Sequence, residues 1–314
     1  MNKVVSRLLT FFIGLPLVIA IVFWTNFHHI GLLCFTAIAG MLTACELYGM
    51  LKNKFALQNK AFVLLMAALL PVSVILCGVS GIEADKADFI FNTVFVFSVL
   101  ICWCAELIVN QTFEKSASRA ATSTFIIFYS TYLLTFLARM TWLASGTAVT
   151  EAAAQDGCHA YVYAHPEVLY ISFFFLVVYL NDSLAWLFGN LFGKNNKGFI
   201  KASPNKSIAG FCGGMLGSVG IGLIVFYAFP SLFGENPAAV SSSGILKIVL
   251  FSILMGFTAI FGDLVESVLK RSCEVKDSGN LVPGRGGVLD SVDSIIFAAP
   301  VFYLGIKLLY IWNW

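Results

Sequence analysis

Nine apolar runs, at about 8–24, 30–51, 61–80, 89–111, 120–143, 167–190, 209–230, 245–269 and 292–312, follow one another through a chain of 314 residues. Each is close to the roughly 20 residues that a helix needs to cross the hydrocarbon core of a bilayer. Lipid offers no hydrogen bonds, so a spanning segment must satisfy its backbone internally, and a run of this length does so as a helix. Only 11% of the residues are charged, against roughly 25% in a soluble globular domain. The expected fold is therefore all-α, a polytopic integral membrane protein with about nine transmembrane helices. The longest hydrophilic stretch, about 145–166, is short and alanine-rich, so the chain is read as one continuous membrane domain. About five spans fall in 1–165 and about four in 166–314, and polar chemistry gathers in the second part.

The basic residues choose an orientation. Lys3 and Arg7 begin the chain; Lys52, Lys54 and Lys60 follow the second run; Lys115 and Arg119 follow the fourth; Lys194, Lys197, Lys201 and Lys206 follow the sixth; Lys270, Arg271, Lys276 and Arg285 lie around the loop between the eighth and ninth. These alternate segments hold most of the 19 Lys and Arg, and the positive-inside tendency places them, with the N-terminus, in the cytoplasm. Trp312 and Trp314 then lie outside, suited to an interfacial belt. Lys3 and Arg7 ahead of an apolar run look like the start of a signal peptide, but no A-x-A-like cleavage site follows and further spans come at once, so a retained first helix is expected. A net charge of +2 suggests neither a nucleic-acid binder nor an acidic tail.

The eight cysteines contain no CxxC pair and fall mostly within apolar runs, where they read as small packing residues. Cys158, His159 and His165 share an outer loop at a spacing that fits no metal site, and His28 and His29 read as polar residues of a short loop. Acidic residues inside apolar runs are costly and are functional candidates by default. Here they are Glu46, Glu106, Asp182, Asp263 and Glu266. Glu46 and Glu106 stand alone, and for each a helix-packing hydrogen bond competes evenly with a functional role.

The other three have company. Asp263, Glu266 and Lys270 fall at i, i+3 and i+7 of the eighth run and so share one helix face. A Glu266–Lys270 pair at the interface would account for two of them but not for the deeper Asp263. The segment "KRSCEVKDSGNLVPGRGG" then brings Lys270, Arg271, Lys276 and Arg285 beside Asp277, and "LDSVDS" places Asp290 and Asp293 at i and i+3 at a helix start. Two carboxylates on one face repel unless a cation lies between them. Oxygen ligands without histidine or a cysteine pair, set among Lys and Arg, suit Mg²⁺ shared with substrate phosphates. Gly286 and Gly287 let backbone and phosphate approach closely. Helix capping is the competing reading of Asp290.

A second polar group lies between the sixth and seventh runs: Asn181, Asp182, Gly189, Gly193, Lys194, Ser203, Lys206 and Ser207. "GNLFGKN" has three residues between its glycines where a phosphate-binding P-loop needs four, and Asn195 where that motif needs Ser or Thr, so it is not one. Gly210 and Gly214 form a GxxxG, which more often serves close helix packing than a ligand. An acidic and basic cluster at one membrane face suggests phosphoryl or nucleotidyl transfer to a lipid head group.

At this point the residues resemble the phosphatidate cytidylyltransferase, or CDP-diacylglycerol synthase, family. Its C-terminal signature is similar to "SVLKRSCEVKDSGNLVPGRGGVLDSVD", residues 267–293, and the "GD" of Asp263, the "ND" of Asn181 and Asp182, and "SPNKS…GFCGG" at 203–214 also match family features. Three positions depart. Arg285 stands where the family usually has His, Ser291 where it has Arg, and Ala209 where it has Glu, changes that bear on substrate preference more than on reaction class. The resemblance implies cytidylyl transfer from CTP to phosphatidic acid, giving CDP-diacylglycerol and pyrophosphate for phospholipid synthesis. It implies metal at Asp263, Asp290 and Asp293, with Glu266 and Asp182 as further metal or supporting groups, and Lys270 among the catalytic residues. Arg271, Lys276, Asp277, Arg285, Gly286, Gly287, Ser203, Lys206, Ser207 and Asn181 are the expected substrate-binding residues.

The lipid phosphate would attack the α-phosphorus of CTP in line, with metal neutralising the departing pyrophosphate. A phosphate monoester is already largely dianionic at neutral pH, so no general base is needed. Expected companions are Mg²⁺, with K⁺ as a second cation left open, membrane lipid and a second copy of the chain as a homodimer. Nucleic acid is not among them. The expected location is a bacterial cytoplasmic membrane, the inner membrane where there are two. Two other readings stay open: a CTP-dependent lipid-alcohol (polyprenol) kinase or a cytidylyltransferase for another lipid phosphate, and an ion-coupled transporter using Asp182, Asp263 and Glu266 as a relay.

Overall fold

The computed structural model of the protein describes residues 3–109, 113–143, 161–162, 164–198 and 200–311, with side chains described except those of 3–11, 15 and 109. Cys158, His159, Trp312 and Trp314 lie outside the described residues. The helices are α1 (Lys3–Phe23), α2 (Asn26–Leu51), α3 (Lys60–Val79), α4 (Ala84–Val109), α5 (Ser116–Ile126), α6 (Leu133–Arg139), α7 (Pro166–Phe192), α8 (Ile208–Ala228), α9 (Ser242–Ser272) and α10 (Leu289–Ile306). A wide π turn, Ile127–Tyr132, joins α5 to α6, and another, Lys307–Ile311, continues α10. Among the described residues no β-sheet forms, and eight helical segments are long and apolar enough to cross a membrane. The run expected at 8–24 lies in α1, where Phe12–Phe23 is a shorter apolar stretch. The chain is an all-α, multi-pass membrane protein.

Local chemistry explains these elements. The Asn59 side chain accepts from the Ala61 N–H at 2.9 Å to start α3, and the Ser207 hydroxyl accepts from Gly210 N–H at 3.1 Å to start α8, each satisfying an amide the helix leaves orphaned. Pro166 opens α7, where its fixed φ suits a first turn and its missing N–H costs nothing. Hydroxyls within the spans bond back to their own helix, as Thr36 does to the Leu32 carbonyl at 2.8 Å and Ser130 to that of Ile126 at 2.6 Å, which removes the cost of placing them in hydrocarbon. Leu65, Leu76, Phe89, Leu216 and Ile224 are exposed, a surface that lipid solvates and water would not.

The chain divides into two compact units. The first comprises Met1–Arg139 with Leu269–Ile296. In it α2 packs on α3 and on the π turn before α6, with Leu33, Leu47, Val63, Leu70, Phe91 and Ile126 fully buried. Glu106, expected to stand alone, is bound by Arg119 at 2.8 Å and by the Gln58 amide at 2.8 Å. Arg139 lies 4.3 Å from the centre of the Phe136 ring and donates to Asn92 at 3.1 Å.

The second unit comprises Met140–Val268 with Phe297–Trp314. Its centre is the α7–α8 pair. A β-carbon at Gly210 would lie 2.8 Å from the Ala185 carbonyl oxygen, and one at Gly214 only 3.0 Å from the Asn181 side chain, so the GxxxG serves close helix packing. Phe173, Phe251 and Phe302 meet edge-on or tilted at 5.4–6.4 Å and fill the neighbouring core.

Candidate active site

In the first unit the polar loop after α9 is closed from several sides. Val282 and Gly286 exchange backbone hydrogen bonds at 2.8 and 3.0 Å, forming a tight turn with Arg285 exposed at its tip. Gly286 has φ of +112°, and a β-carbon there would also lie 2.6 Å from the Asp290 carboxylate. Only glycine satisfies both conditions.

Asp290 anchors this loop. One carboxylate oxygen accepts from Lys270 Nζ at 2.6 Å; the other accepts from the Ser278 N–H at 2.8 Å, the Ser278 hydroxyl at 2.9 Å and the Gly287 N–H at 2.7 Å. Asp290 therefore ties the end of α9, the start of the loop and its return to the first turn of α10. The Gly287 amide lies just ahead of the first turn of α10, where orphaned N–H groups and the macrodipole favour a carboxylate. Asp293 follows one turn later, buried, and accepts from the Ser294 N–H at 2.6 Å.

A second carboxylate reaches the same place from α2. Glu46 accepts from the Val288 N–H at 2.9 Å, the Leu289 N–H at 2.8 Å and the Ser278 hydroxyl at 3.0 Å. A serine hydroxyl carries one proton, so Ser278 serves Glu46 or Asp290 at any instant. Sequence reasoning left Glu46 undecided and missed Ser278. The only signal was an acid in an apolar span with no charged neighbour. Arg271, Lys276 and Asp277 are exposed, and the Lys54–Glu274 ion pair of 2.6 Å fixes the loop's first turn to the end of α2.

In the second unit Lys206 forms an ion pair with Asp263. Glu266, one turn further along α9, is completely buried. Ser207 is occupied as the cap of α8, and its side chain fills the space against Gly189 and Gly193. Ser203 sits in a turn between Ile200 and Lys206. Asn181 is buried among α7, α8 and α9, donating to the Ser218 hydroxyl at 2.9 Å, whereas its neighbour Asp182 is exposed. His165 Nδ1 meets Glu167 at 3.2 Å.

The arrangement gathers Lys270, Gly287 and Asp290 about one loop, and Lys206 about Asp263. It places Asn181 and Ser207 in helix packing and capping, and leaves Asp182, Arg271, Lys276, Asp277 and Arg285 at the surface. Helix α9 is unbroken from Ser242 to Ser272, so Asp263 and Glu266 precede Lys270 on one face of a single helix.

Comparison with known proteins adds a lineage. The chain is 38% identical to a phosphatidate cytidylyltransferase of Staphylococcus haemolyticus over 150 residues, which is 48% of this chain and 50% of that protein. It is 42% identical to one of Staphylococcus epidermidis over 132 residues, 42% of this chain and 46% of that protein. It is also 39% identical to one of Helicobacter pylori over 138 residues, 44% of this chain and 47% of that one. The chain spans about half the length of the curated relatives it matches. The model of the cytidylyltransferase family matches residues 5–309, nearly the whole sequence, and the chain belongs to that family.

Proposed function

We propose that the protein transfers the cytidylyl group of CTP to phosphatidic acid, giving CDP-diacylglycerol and pyrophosphate. The observation that carries this reading is the loop 276–288, held by Asp290 between Lys270 and the first turn of α10, in a chain whose relatives bear the name phosphatidate cytidylyltransferase. A cytidylyl donor brings a triphosphate, and a membrane acceptor brings a phosphate on two acyl chains. Both need cationic groups at a membrane surface, which Arg271, Lys276 and Arg285 supply.

We assign to a divalent cation the carboxylates Asp263 and Glu266, one turn apart on α9, and keep Asp293 as the ligand that the sequence pattern supplies. Three oxygen donors with no histidine or cysteine fit Mg²⁺ better than zinc or copper, and Asp182 is the further acid we keep as a supporting group. When bound, such an ion would neutralise phosphate charge and polarise the phosphorus. The chain's own residues do the rest. Arg285 and Lys276 hold nucleotide phosphates through charge-assisted hydrogen bonds, while the Gly286–Gly287 backbone permits close approach. A phosphate oxygen of the lipid then bonds to the α-phosphorus as the bond to the bridging oxygen of pyrophosphate breaks. The acceptor oxygen is already ionised near neutral pH, so no side chain need take a proton. We assign the basic loops and the N-terminus to the cytoplasm of a bacterial cell, where CTP is present.

The test is pyrophosphate release by the purified protein in mixed micelles of detergent and phosphatidic acid, with CTP and Mg²⁺. Release that requires both substrates and the cation supports the reading. Release that ignores phosphatidic acid, or its absence from folded protein, overturns it.

A further inference from the structure

We infer that Glu46, a residue of the second helix, is a positioning residue that sets the nucleotide-binding loop by holding its C-terminal end. The inference rests on the cytidylyl-transfer reading for its kinetic consequence and on geometry alone for the contact. Glu46 lies 242 residues from Val288, yet its two oxygens accept from consecutive amides, Val288 and Leu289, at 2.9 and 2.8 Å. These are the groups that α10 itself leaves unsatisfied at its start. The Ser278 hydroxyl approaches the same carboxylate at 3.0 Å, so Glu46 touches both limbs of the loop whose tip carries Arg285.

The loop is shaped to admit this carboxylate. A β-carbon at Gly279 would lie 2.7 Å from Glu46 Oε1, and one at Gly287 would meet the other oxygen closer still. Both positions are glycine. The two carboxylates divide the work: Asp290 takes Gly287 and the Ser278 amide, and Glu46 takes the next two amides. With Glu46 removed, one clamp remains and the loop can pivot about Asp290. A pivot displaces Lys276 and Arg285, the groups assigned to nucleotide phosphates.

The experiment compares wild type with Glu46→Gln, Glu46→Asp and Gly279→Ala, each purified in detergent and checked for a monodisperse folded state. Two readouts are taken: the KM and kcat for CTP and for phosphatidic acid, and the rate of trypsin cleavage at Lys276 and Arg285. Loss of hydrogen bonds to a charged acceptor should raise the CTP KM of Glu46→Gln about tenfold or more, with the phosphatidic acid KM held and loop cleavage faster by a similar factor. Glu46→Asp keeps the charge and should recover part of both losses. Gly279→Ala, which crowds Glu46 from the loop side, should reproduce the Gln variant. A variant that loses kcat while both KM values stay fixed reports only a smaller folded fraction and overturns the positioning role, as does unchanged cleavage. Wild-type protein that transfers no cytidylyl group sinks the functional reading instead, and the cleavage ratio then decides the Glu46 contact by itself.

Discussion

Replacing Asp290 by Asn keeps the side chain's shape and one acceptor oxygen, and that oxygen cannot serve both of the aspartate's roles. Three donors, two from Ser278 and one from Gly287, share one side of the carboxylate, and Lys270 Nζ approaches the other at 2.6 Å. If the amide oxygen faces the three, its NH₂ faces an ammonium at a site where the Asp290 and Lys270 side chains are only 6% and 15% exposed. Removing one partner of a buried pair costs about 3–5 kcal/mol when the other charge must stay. Lys270 can turn its head toward water, which favours the lower end. A loss of about 3 kcal/mol corresponds, in a chain of 314 residues, to a Tm lower by roughly 5 °C. If the pair is needed only when charge develops on the phosphates, it also corresponds to roughly 100-fold in kcat. Thermal unfolding in detergent and labelled-CTP turnover measure the two. The double variant Lys270→Met with Asp290→Asn removes the orphaned charge, and should regain most of the lost stability while remaining inactive. An Asp290→Asn protein within about 1 °C of wild type and with undiminished turnover refutes the reasoning, because an anchor with four donors cannot be replaced at no cost.

Three further outcomes follow from the packing and the ion pairs. Gly210→Ala sets a β-carbon against the Ala185 carbonyl and should destabilise the α7–α8 pair by about 1–3 kcal/mol, read as a lower Tm, whereas Gly220→Ala, with open space around it, should be close to neutral. Glu106→Gln leaves Arg119 without its carboxylate in a pair whose side chains are 18% and 7% exposed. It should cost about 3 kcal/mol, with Arg119→Met on the same background restoring part of it in a double-mutant cycle. Glu235 lies outside the spans, and the Ser241 N–H, then the Ser241 hydroxyl, then the charge of Lys247 hold its carboxyl below the usual carboxylate range. A depressed folded-state pKa gives stability that is present above the unfolded value of about 4.3 and is lost as pH falls through the lower folded value. The Tm gap between wild type and Glu235→Gln should therefore be full at neutral pH and close below about pH 4.

The spans were legible because lipid admits little else: a run of about 20 apolar residues in hydrocarbon must be a helix. The loop was legible for a related reason. Gly284, Gly286 and Gly287 crowd beside Arg285 and Asp290 in a polar stretch that no span would hold, and the turn they make needs a positive φ at Gly284 and Gly286. The close packing at Gly210 and Gly214 also followed from spacing alone. Contacts between distant segments were not legible. Nothing local in "ACELYGM" indicates that Glu46 receives the amides of Val288 and Leu289, since its partners are more than 200 residues away. Ser207 and Asn181 have side chains able to hold a phosphate. The same polarity serves to cap α8 and to bind Ser218 inside a helix interface, and sequence spacing does not separate the two uses.

The most direct test of cytidylyl transfer follows two labels of one nucleotide. Membranes bearing the protein are given phosphatidic acid, Mg²⁺ and CTP labelled at either the α- or the γ-phosphate, beside an Asp293→Asn control, and the chloroform-soluble lipid is counted. Transfer of the cytidylyl group puts α-label into lipid and γ-label into pyrophosphate, with neither entering lipid in the Asn variant. The γ-label in lipid would mark a kinase and contradict the account.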